Sequence, residues 1–493
     1  MADNKSEPMN ISQWWGGMSD DVLEQSVTDF YISKHFDTVA SANELNPYRA
    51  TIADEDKTFQ IENFTFANTS LWGLGRNTAG TKTKLYTSNF PATGWVAATT
   101  GESTNTDTKR PDTFEYYQGA LYGFRLEGGV NHIWQYVIAT NTFSEDFGVS
   151  TSTSAFTAPA FVHPISDRLF LPSGNILCQV DSGVFTDNVL VLPSQYIITS
   201  LTAWGDSLAI AVQTTSLDIA ESRVYLWNMI DADPYEMISW GQENLKILQN
   251  IDNQLVGVSI SSTASFAASY SLNMGLTLKT WSGGDVILVK NIPLDAVDYT
   301  LGFQKRFVGN SLYFALAGTT QTFTGIWRVG RKNESYPFQI TIDRKVDNDN
   351  SVTSIQGHYK LGDYVFVAHS GDGSVDHTST SATFTATSFV ETQKYDGKNP
   401  FRKKQLRGVA LAYSAFLPSA GQPVIKYRKD EETSYTTIFT ETTDNAMSTA
   451  QTAITATQSL PDYYQIQFRV ESTGGAKINQ IYFIWDWVGG PFE

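Results

Sequence analysis

The segment Asn68-Thr69-Ser70-Leu71-Trp72-Gly73-Leu74 joins a polar turn to a short apolar strand, and this pattern recurs along the chain. In most copies a turn with Asn, Asp or Gly comes shortly before a Leu, and aromatic or aliphatic residues follow it. Residues 118–124 and 309–315 are two further copies. The Leu, which is Val in the last copy, stands at positions 71, 121, 169, 208, 255, 312 and 365, so that consecutive copies are 39 to 57 residues apart.

A second strand, usually with an aromatic residue, follows most copies, as at 84–86, 132–136, 223–227 and 325–329. Repeats of roughly 40–50 residues built from short antiparallel strands are typical of β-propeller blades. A β-sandwich array and a β-solenoid are the alternatives. A sandwich array rarely keeps one hairpin signature at near-constant spacing, and solenoid coils are usually shorter. We therefore predict an all-β chain with a seven-bladed β-propeller.

The repeat pattern stops near residues 396–400. We therefore place the propeller at residues 48–398. Longer strands with alternating apolar and polar residues follow, as in Ile466-Gln467-Phe468-Arg469-Val470-Glu471, which predicts one buried and one wet face. We predict an antiparallel, jelly-roll-like β-sandwich over residues 401–493. A propeller exposes unpaired edges unless its ring is closed, and residues 48–53 could supply the closing strand.

Two segments are candidates for subunit docking. Residues 1–47 are predicted to form an irregular arm that holds Trp14 and Trp15 beside two glycines, and such an arm has to pack these rings on the propeller or on another subunit. The second candidate is a basic cluster in an acidic chain, made of Lys398, Arg402, Lys403, Lys404 and Arg407. This cluster is either a solvated or interdomain surface, or a docking patch for an acidic subunit or for nucleic acid in a channel.

Composition excludes several classes of protein. The 493 residues carry 34 Lys+Arg against 51 Asp+Glu, a net charge of -17, which argues against specific or general nucleic-acid binding. The aromatic content of 13% and the charged content of 17% exclude a disordered chain. Cys178 is the single cysteine, so no intrachain disulfide forms. The first residues do not resemble a secretory signal, and no apolar run is long enough for a membrane span, so we expect synthesis in the cytoplasm.

Motifs for catalysis are not found in the sequence. There is no nucleophile elbow, zinc-protease helix, phosphate loop or dinucleotide fingerprint. The six histidines are scattered, and we expect His369 and His377 to be solvated loop residues. We therefore predict no catalytic residues, no cofactor, no metal and no enzymatic activity.

The segment Ile11-Ser12-Gln13-Trp14-Trp15-Gly16-Gly17-Met18-Ser19-Asp20-Asp21 resembles the start of many tailed-bacteriophage virion proteins, in which an extended segment then leads into a β-propeller. Residues 404–409, 424–428 and 464–470 resemble the sandwich domains of phage structural proteins. This resemblance implies a tail-tip, nozzle, hub or fibre-base protein in the virion tail. It also implies other tail proteins as partners and a symmetric homo-oligomer or ring.

Two other functions remain open from the residues. A receptor-recognition protein that binds a host surface glycan predicts saturable sugar binding by residues 401–493. A polysaccharide-degrading propeller enzyme predicts a pair of acidic residues near the axis whose change to amides abolishes activity.

Overall fold

All regular elements that the structure describes are β-strands. In this computed structural model the described residues are 7–14, 16–19, 29–34, 36–39, 45–54, 60–76, 83–92, 94–102, 114–127, 129–151, 158–215, 221–260, 275–294, 299–318, 322–346, 352, 354–369, 375–379, 388–413, 423–440, 450–453, 462–473 and 475–488. The chain divides into two compact units. Unit 1 comprises Met1–Thr51, Trp327–Lys345 and Ser379–Glu493, and unit 2 comprises Ile52–Ile326 and Val346–Thr378.

The strands before the first repeat are short. They are β1 (Glu7–Ile11), β2 (Gly17–Met18), β3 (Asp29–Lys34), β4 (Phe36–Asp37), β5 (Asn46–Pro47) and β6 (Thr51–Asp54). None of the described residues among them forms a helix long and apolar enough to cross a bilayer, and the same holds for the described residues elsewhere.

Unit 2 contains five sheets of four consecutive antiparallel strands each. These sheets are β7 (Gln60–Ala67), β8 (Ser70–Arg76), β9 (Thr83–Ser88) and β10 (Trp95–Glu102); β11 (Phe114–Tyr117), β12 (Ala120–Glu127), β13 (Val130–Val137) and β14 (Thr142–Ser150); β15 (Phe161–His163), β16 (Arg168–Ser173), β17 (Ile176–Asp181) and β18 (Val184–Val191); β19 (Tyr196–Trp204), β20 (Ser207–Thr214), β21 (Ser222–Trp227) and β22 (Glu236–Gly241); and β23 (Asn244–Ile251), β24 (Gln254–Ile260), β25 (Gly275–Trp281) and β26 (Ile287–Pro293).

Further strands of the repeat region follow in the same order along the chain. They are β27 (Thr300–Val308), β28 (Ser311–Ala317), β29 (Gly325–Gly330), β30 (Gln339–Arg344), β31 (Ile355–Leu361), β32 (Tyr364–His369) and β33 (Val375–Thr378). β27 pairs with β28, and β31, β32 and β33 form consecutive antiparallel neighbours. The next neighbour of β33 is β6, so an N-terminal strand completes the last sheet of this unit. This confirms the predicted role of the segment around residues 48–53.

The repeated Leu, or Val365, is the second residue of a strand that follows a turn, and this strand is the second one in each repeat. Leu121, Leu208 and Leu312 stand near the starts of β12, β20 and β28 and are fully buried. The preceding turns use left-handed backbone, with φ of +46° and +66° at Asn68 and Thr69. Tight hairpin turns need positive φ, which explains why Asn, Asp and Gly recur there.

Neighbouring sheets pack face to face. Phe170 of one sheet and Trp227 of the next have ring centroids 6.1 Å apart, and Leu201 and Ile210 belong to the same buried cluster. We call the strand that comes first along the chain in each repeat its first strand. The first strands contact one another in the order β7, β11, β15, β19, β23, β27 and β31, and β31 contacts β7 again. Four-stranded sheets arranged around a closed ring of first strands form a β-propeller.

Unit 1 is built from both ends of the chain. Its later strands are β34 (Ser388–Thr392), β35 (Lys404–Tyr413), β36 (Pro423–Lys429), β37 (Thr436–Thr440), β38 (Ala450–Ala453), β39 (Asp462–Tyr463), β40 (Ile466–Ser472) and β41 (Ile478–Trp487). One sheet has the order β1-β41-β35-β38, with β39 also paired to β35. A second has the order β2-β3-β34-β40-β36-β37, and β4 pairs with β5 in a two-stranded sheet.

These sheets correct the predicted domain boundaries. Residues 1–47 are not a separate irregular arm, because β1 pairs along its length with β41 and β3 pairs with β34. Residues 401–493 are not a unit of their own either, since Trp327–Lys345 and β34 belong with them. Pairing between distant segments leaves no trace in local periodicity, so the sequence showed the strands but not their partners.

Candidate functional site

A cavity of about 530 Å³ opens among the first strands of unit 2. Its walls come from β11, β15, β19, β23, β27 and β31 and from the turns beside β15. Because these strands follow one another around the ring, the cavity lies at the axis of the propeller.

An irregularity in β27 directly precedes the cations of this strand that line the cavity. Leu301 pairs with Leu316 and Lys305 pairs with Phe314. Between these pairs β27 advances by four residues and β28 by two, so β27 contains two extra residues. In β19 the corresponding shift, from Ile198 to Ser200, adds a single residue. Bulges redirect side chains, and here the consecutive Lys305 and Arg306 both line the cavity.

Arg306 joins β27 to three other first strands. Its Nη1 lies 3.2 Å from Oε2 of Glu115 on β11, and its Nη2 donates to the carbonyl of Phe64 on β7. The guanidinium also lies 4.8 Å from the ring centroid of Tyr359 on β31. Glu115 in turn accepts a hydrogen bond from the Thr65 hydroxyl at 2.7 Å. This contact set stabilises one side of the ring.

Lys305 joins β27 to the opposite side. Its Nζ donates to the carbonyl of Leu201 on β19 at 2.5 Å and to that of Leu248 on β23. The ammonium lies 5.9 Å from the ring centroid of Phe161 on β15. Burial lowers the pKa of Lys305 to about 7, because the charged form is poorly solvated there. We call Lys305 and Arg306 together the axial brace.

The carbonyls that the axial brace binds occupy equivalent places in the ring. In most repeats, one residue of the first strand pairs with the residue two places after the repeated Leu or Val. This residue is Phe64 in β7, Leu201 in β19 and Leu248 in β23. In β27 and β31 this residue is Lys305 and His358. The repeat therefore directs a set of carbonyls toward the axis, and two cations of β27 donate to three of them.

Gln304 and His358, which lie next to the brace in β27 and β31, are bonded to each other. The Oε1 of Gln304 accepts the backbone N–H of His358 at 3.0 Å. A Cβ at Gly357 would lie 2.5 Å from the carbonyl oxygen of Glu62 and 2.8 Å from that Oε1, so only glycine leaves room here. Burial, with a smaller effect of Arg306, lowers the pKa of His358 to about 3 and keeps this imidazole neutral.

The predicted docking residues of the N-terminal segment are not displayed on the surface. Trp14 is fully buried within its own chain, after β1. Its ring is therefore covered by this chain and does not offer a surface to another subunit. Trp15 lies outside the described residues.

The predicted basic cluster has a buried centre. Lys404 is fully buried, and its Nζ donates to the carbonyls of Asn399 and Arg402 at 2.7 Å and of Tyr464 at 2.9 Å. Burial lowers its pKa to about 8, although Asp396 and Asp430 act in the opposite direction. As a docking residue Lys404 is corrected to a structural one, because its charge does not reach the surface.

The other members of the cluster lie nearer the surface. Lys403 is paired with Asp462 at 3.1 Å, and Arg407 is paired with Asp486 at 2.6 Å. Arg402 lies over the ring of Trp487, and Lys398 is exposed. Most of the cluster is thus engaged with groups of the same unit, and its role in docking stays a prediction.

His369 and His377 are not solvated, and that expectation was wrong. His369 ends β32 and His377 lies in β33, and both are almost completely buried. The Nε2 of His369 lies 3.5 Å from Oδ2 of the buried Asp376. The sequence failed here because β33 is a four-residue strand inside a polar segment.

Sequence reasoning missed the axial brace, although a signal was present. Aligned on the repeated Leu, the equivalent residues Phe64, Phe114, Leu201 and Leu248 are apolar, whereas β27 has Lys305 followed by Arg306. The two consecutive cations in the first strand of this repeat differ from the apolar residues at those four positions, and this difference is visible in the sequence. No metal-binding group of three or more His, Cys, Asp or Glu is found among the described residues.

Comparisons with known proteins show only distant likenesses. No protein-family model matches this chain, and no curated protein does. A solved protein from Lactobacillus plantarum is similar at 11% identity and TM-score 0.42, over 67% of this chain and 90% of that one. The Pan2 WD40 domain of Neurospora crassa is similar at 10% identity and TM-score 0.41, over 68% and 96%. An exo-β-1,3-galactanase of Phanerochaete chrysosporium shares 7% identity at TM-score 0.30, over 88% and 100%. No function follows from likenesses this distant.

Proposed function

We propose that this chain is a non-enzymatic structural protein of a bacteriophage tail, in which a seven-bladed propeller is a rigid platform for assembly. The observation that carries the platform role is the axial brace. Lys305 and Arg306 connect β27 to β7, β11, β19 and β23 through charge-assisted hydrogen bonds and an ion pair. Such bonds are stronger than neutral ones and resist relative movement of the strands that they join.

The count of seven blades is supported by the ring of contacts among the first strands from β7 to β31. The β-sandwich, as part of unit 1, is supported by aromatic contacts between its two sheets. Phe468 on β40 and Phe483 on β41 have centroids 4.7 Å apart, and Tyr395 lies 5.6 Å from Phe483. Interdigitated apolar side chains between two sheets are typical of a sandwich core.

The virion assignment is supported by the resemblance of residues 11–21 to the start of phage virion proteins. In this structure Ile11 ends β1 and Gly17–Met18 forms β2, and these strands lie in two different sheets of unit 1. The partners we propose are other tail proteins and further copies of this chain, and the place is the virion tail after synthesis in the host cytoplasm.

The test is to examine virions purified from cultures that produce this chain, by mass spectrometry and cryo-electron microscopy. We expect the chain at a fixed copy number, with density for a seven-bladed ring in the tail. A chain found only in the lysate, and never in particles that infect normally, would refute the virion role.

The exposed members of the basic cluster give a second test. The variant with Lys398, Lys403 and Arg407 all changed to Glu should fail to enter particles if this surface docks an acidic subunit. The matched control changes Lys290, Lys332 and Lys477 to Glu instead, of which Lys332 and Lys477 are exposed. Equal incorporation of both variants, with melting temperatures like that of the unchanged chain, would contradict docking through this surface.

A further inference from the structure

The charges in the axial cavity do not balance. Three cations line the cavity, Lys305, Arg306 and Lys360, against the single carboxylate of Glu115. Arg306 forms an ion pair with that carboxylate. The ammonium groups of Lys305 and Lys360 then have no carboxylate among the lining residues, in a chain whose net charge is -17. An excess of positive charge in a concave site of an acidic protein favours an anionic ligand.

Lys305 still has a hydrogen to donate. An ammonium group carries three N–H donors, and Lys305 uses two of them on the carbonyls of Leu201 and Leu248. Among the described residues no carboxylate and no third acceptor lies within reach of its Nζ. Lys360 has the ring of Tyr313 at 4.9 Å as its described neighbour. Both ammonium groups can therefore donate to a ligand oxygen.

The remaining walls favour a ligand larger than a simple ion. A volume of about 530 Å³ is within the usual range of small-molecule sites, and a phosphate ion would leave most of it empty. Phe161 supplies an aromatic wall beside Lys305. Gln249 supplies an amide that bonds only the carbonyl of Asn250 within the described part of the chain. Aromatic faces with amides and cations suit a ring that has apolar faces, hydroxyl groups and a carboxylate.

We propose that the axial cavity of unit 2 binds an acidic sugar residue of the uronic-acid type, whose carboxylate accepts from Lys305. The sugar's hydroxyl groups meet Gln249 and Lys360, and its ring lies against Phe161. The lowered pKa of Lys305 agrees with a binding site that lacks its counter-ion, since a bound carboxylate would favour the charged ammonium. The inference concerns unit 2 alone and does not depend on the virion role.

The test is isothermal titration calorimetry of the full chain with glucuronate, glucose and inorganic phosphate. We expect saturable binding of glucuronate, tighter than that of glucose by about tenfold, as expected for one charge-assisted hydrogen bond. Lys305→Met should reduce glucuronate binding to the level of glucose, whereas Lys403→Met, a lysine of unit 1, should leave it unchanged. Gln249→Ala, which leaves the brace in place, should weaken the binding of both sugars.

Three results would overturn the proposal. One is equal affinity of the unchanged chain for glucuronate and glucose, or no heat from either. Another is phosphate binding as tightly as glucuronate, which would show an anion site without sugar recognition. The last is unchanged glucuronate binding by a folded Lys305→Met chain. Because the first two need no variant, a destabilised variant does not leave the proposal without a test.

Discussion

Lys305 in the axial cavity and Lys404 in the C-terminal sheets are two lysines held by backbone carbonyls, and they differ by one hydrogen bond. Lys404 donates to three carbonyls and has used all its donors. Lys305 donates to two carbonyls beside an open cavity. Burial lowers the pKa of both, to about 8 for Lys404 and about 7 for Lys305.

The comparison teaches that the number of acceptors, and not the density of positive charge in the sequence, separates a structural lysine from one that can bind a ligand. The basic run around Lys404 predicted a docking patch, yet the ammonium group of this lysine is buried and donates to three backbone carbonyls. The less conspicuous pair Lys305 and Arg306 lines the axial cavity of unit 2.

Lys404→Met should have the largest effect on stability. Without its ammonium group three buried carbonyls lose their donor, and we expect the free energy of unfolding to fall by about 3 kcal/mol. The measurement is urea unfolding followed by tryptophan fluorescence. The control is Lys403→Met, whose side chain is 46% exposed and whose loss should cost less than about 0.5 kcal/mol. Similar losses for both variants would remove the distinction between the two positions.

Glu115→Gln should have the next largest effect, because it leaves the guanidinium of Arg306 without its carboxylate. The side chains of this pair are 18% and 22% exposed, and we expect a loss of about 2 kcal/mol in urea unfolding. Glu221→Gln is the matched control, since Glu221 pairs with Arg223 in the same unit at greater exposure. We expect about 0.5 kcal/mol there. A larger loss in the control would show that the brace adds no rigidity to the ring.

Lys305→Met should change the pH dependence of stability. The pKa of Lys305 is about 7 in the folded chain and near 10.5 when unfolded. Between these values the unfolded state binds more protons, so stability rises with pH across this window and is lower below it. Lys305→Met lacks this rise, so between pH 7 and pH 9 the unchanged chain should gain about 2 kcal/mol of unfolding free energy relative to the variant. Parallel curves of unfolding free energy against pH for the two chains would mean that Lys305 is not desolvated.

Arg407→Gln should have the smallest effect on stability. Arg407 is 53% exposed and pairs with Asp486 at the surface, so we expect a change within about 0.5 kcal/mol. Thermal melting in low and high salt checks this, because screening should remove the little that the pair contributes. A loss as large as that of Lys404→Met would show that the basic cluster acts as one connected unit.

The sequence predicted the local structure of unit 2 well. The turn before Leu71 and the strand after it were both readable, because hairpin turns and alternating strands depend on neighbouring residues. The strand near residues 48–53 was also placed, since an open ring has a definite need for one more strand. The pairing of β1 with β41 was not predictable, because nothing in either strand specifies a partner so far along the chain. The hydrogen bonds of Lys305 were not predictable either, since its acceptors Leu201 and Leu248 belong to other repeats, although the consecutive cations of β27 could be seen in the sequence.

The pairing of β6 with β33 has a consequence for how the protein is made. Translation delivers β6 early, but its neighbour in the sheet emerges from the ribosome only after almost all of unit 2 has been synthesised. Until then β6 is an unpaired strand beside other nascent strands, and long-range pairing of this kind folds slowly and is prone to aggregation. Recombinant yield should therefore improve when synthesis is slowed or a general chaperone is supplied. Chains cut short before Val375 should remain unfinished rings that collect in the insoluble fraction.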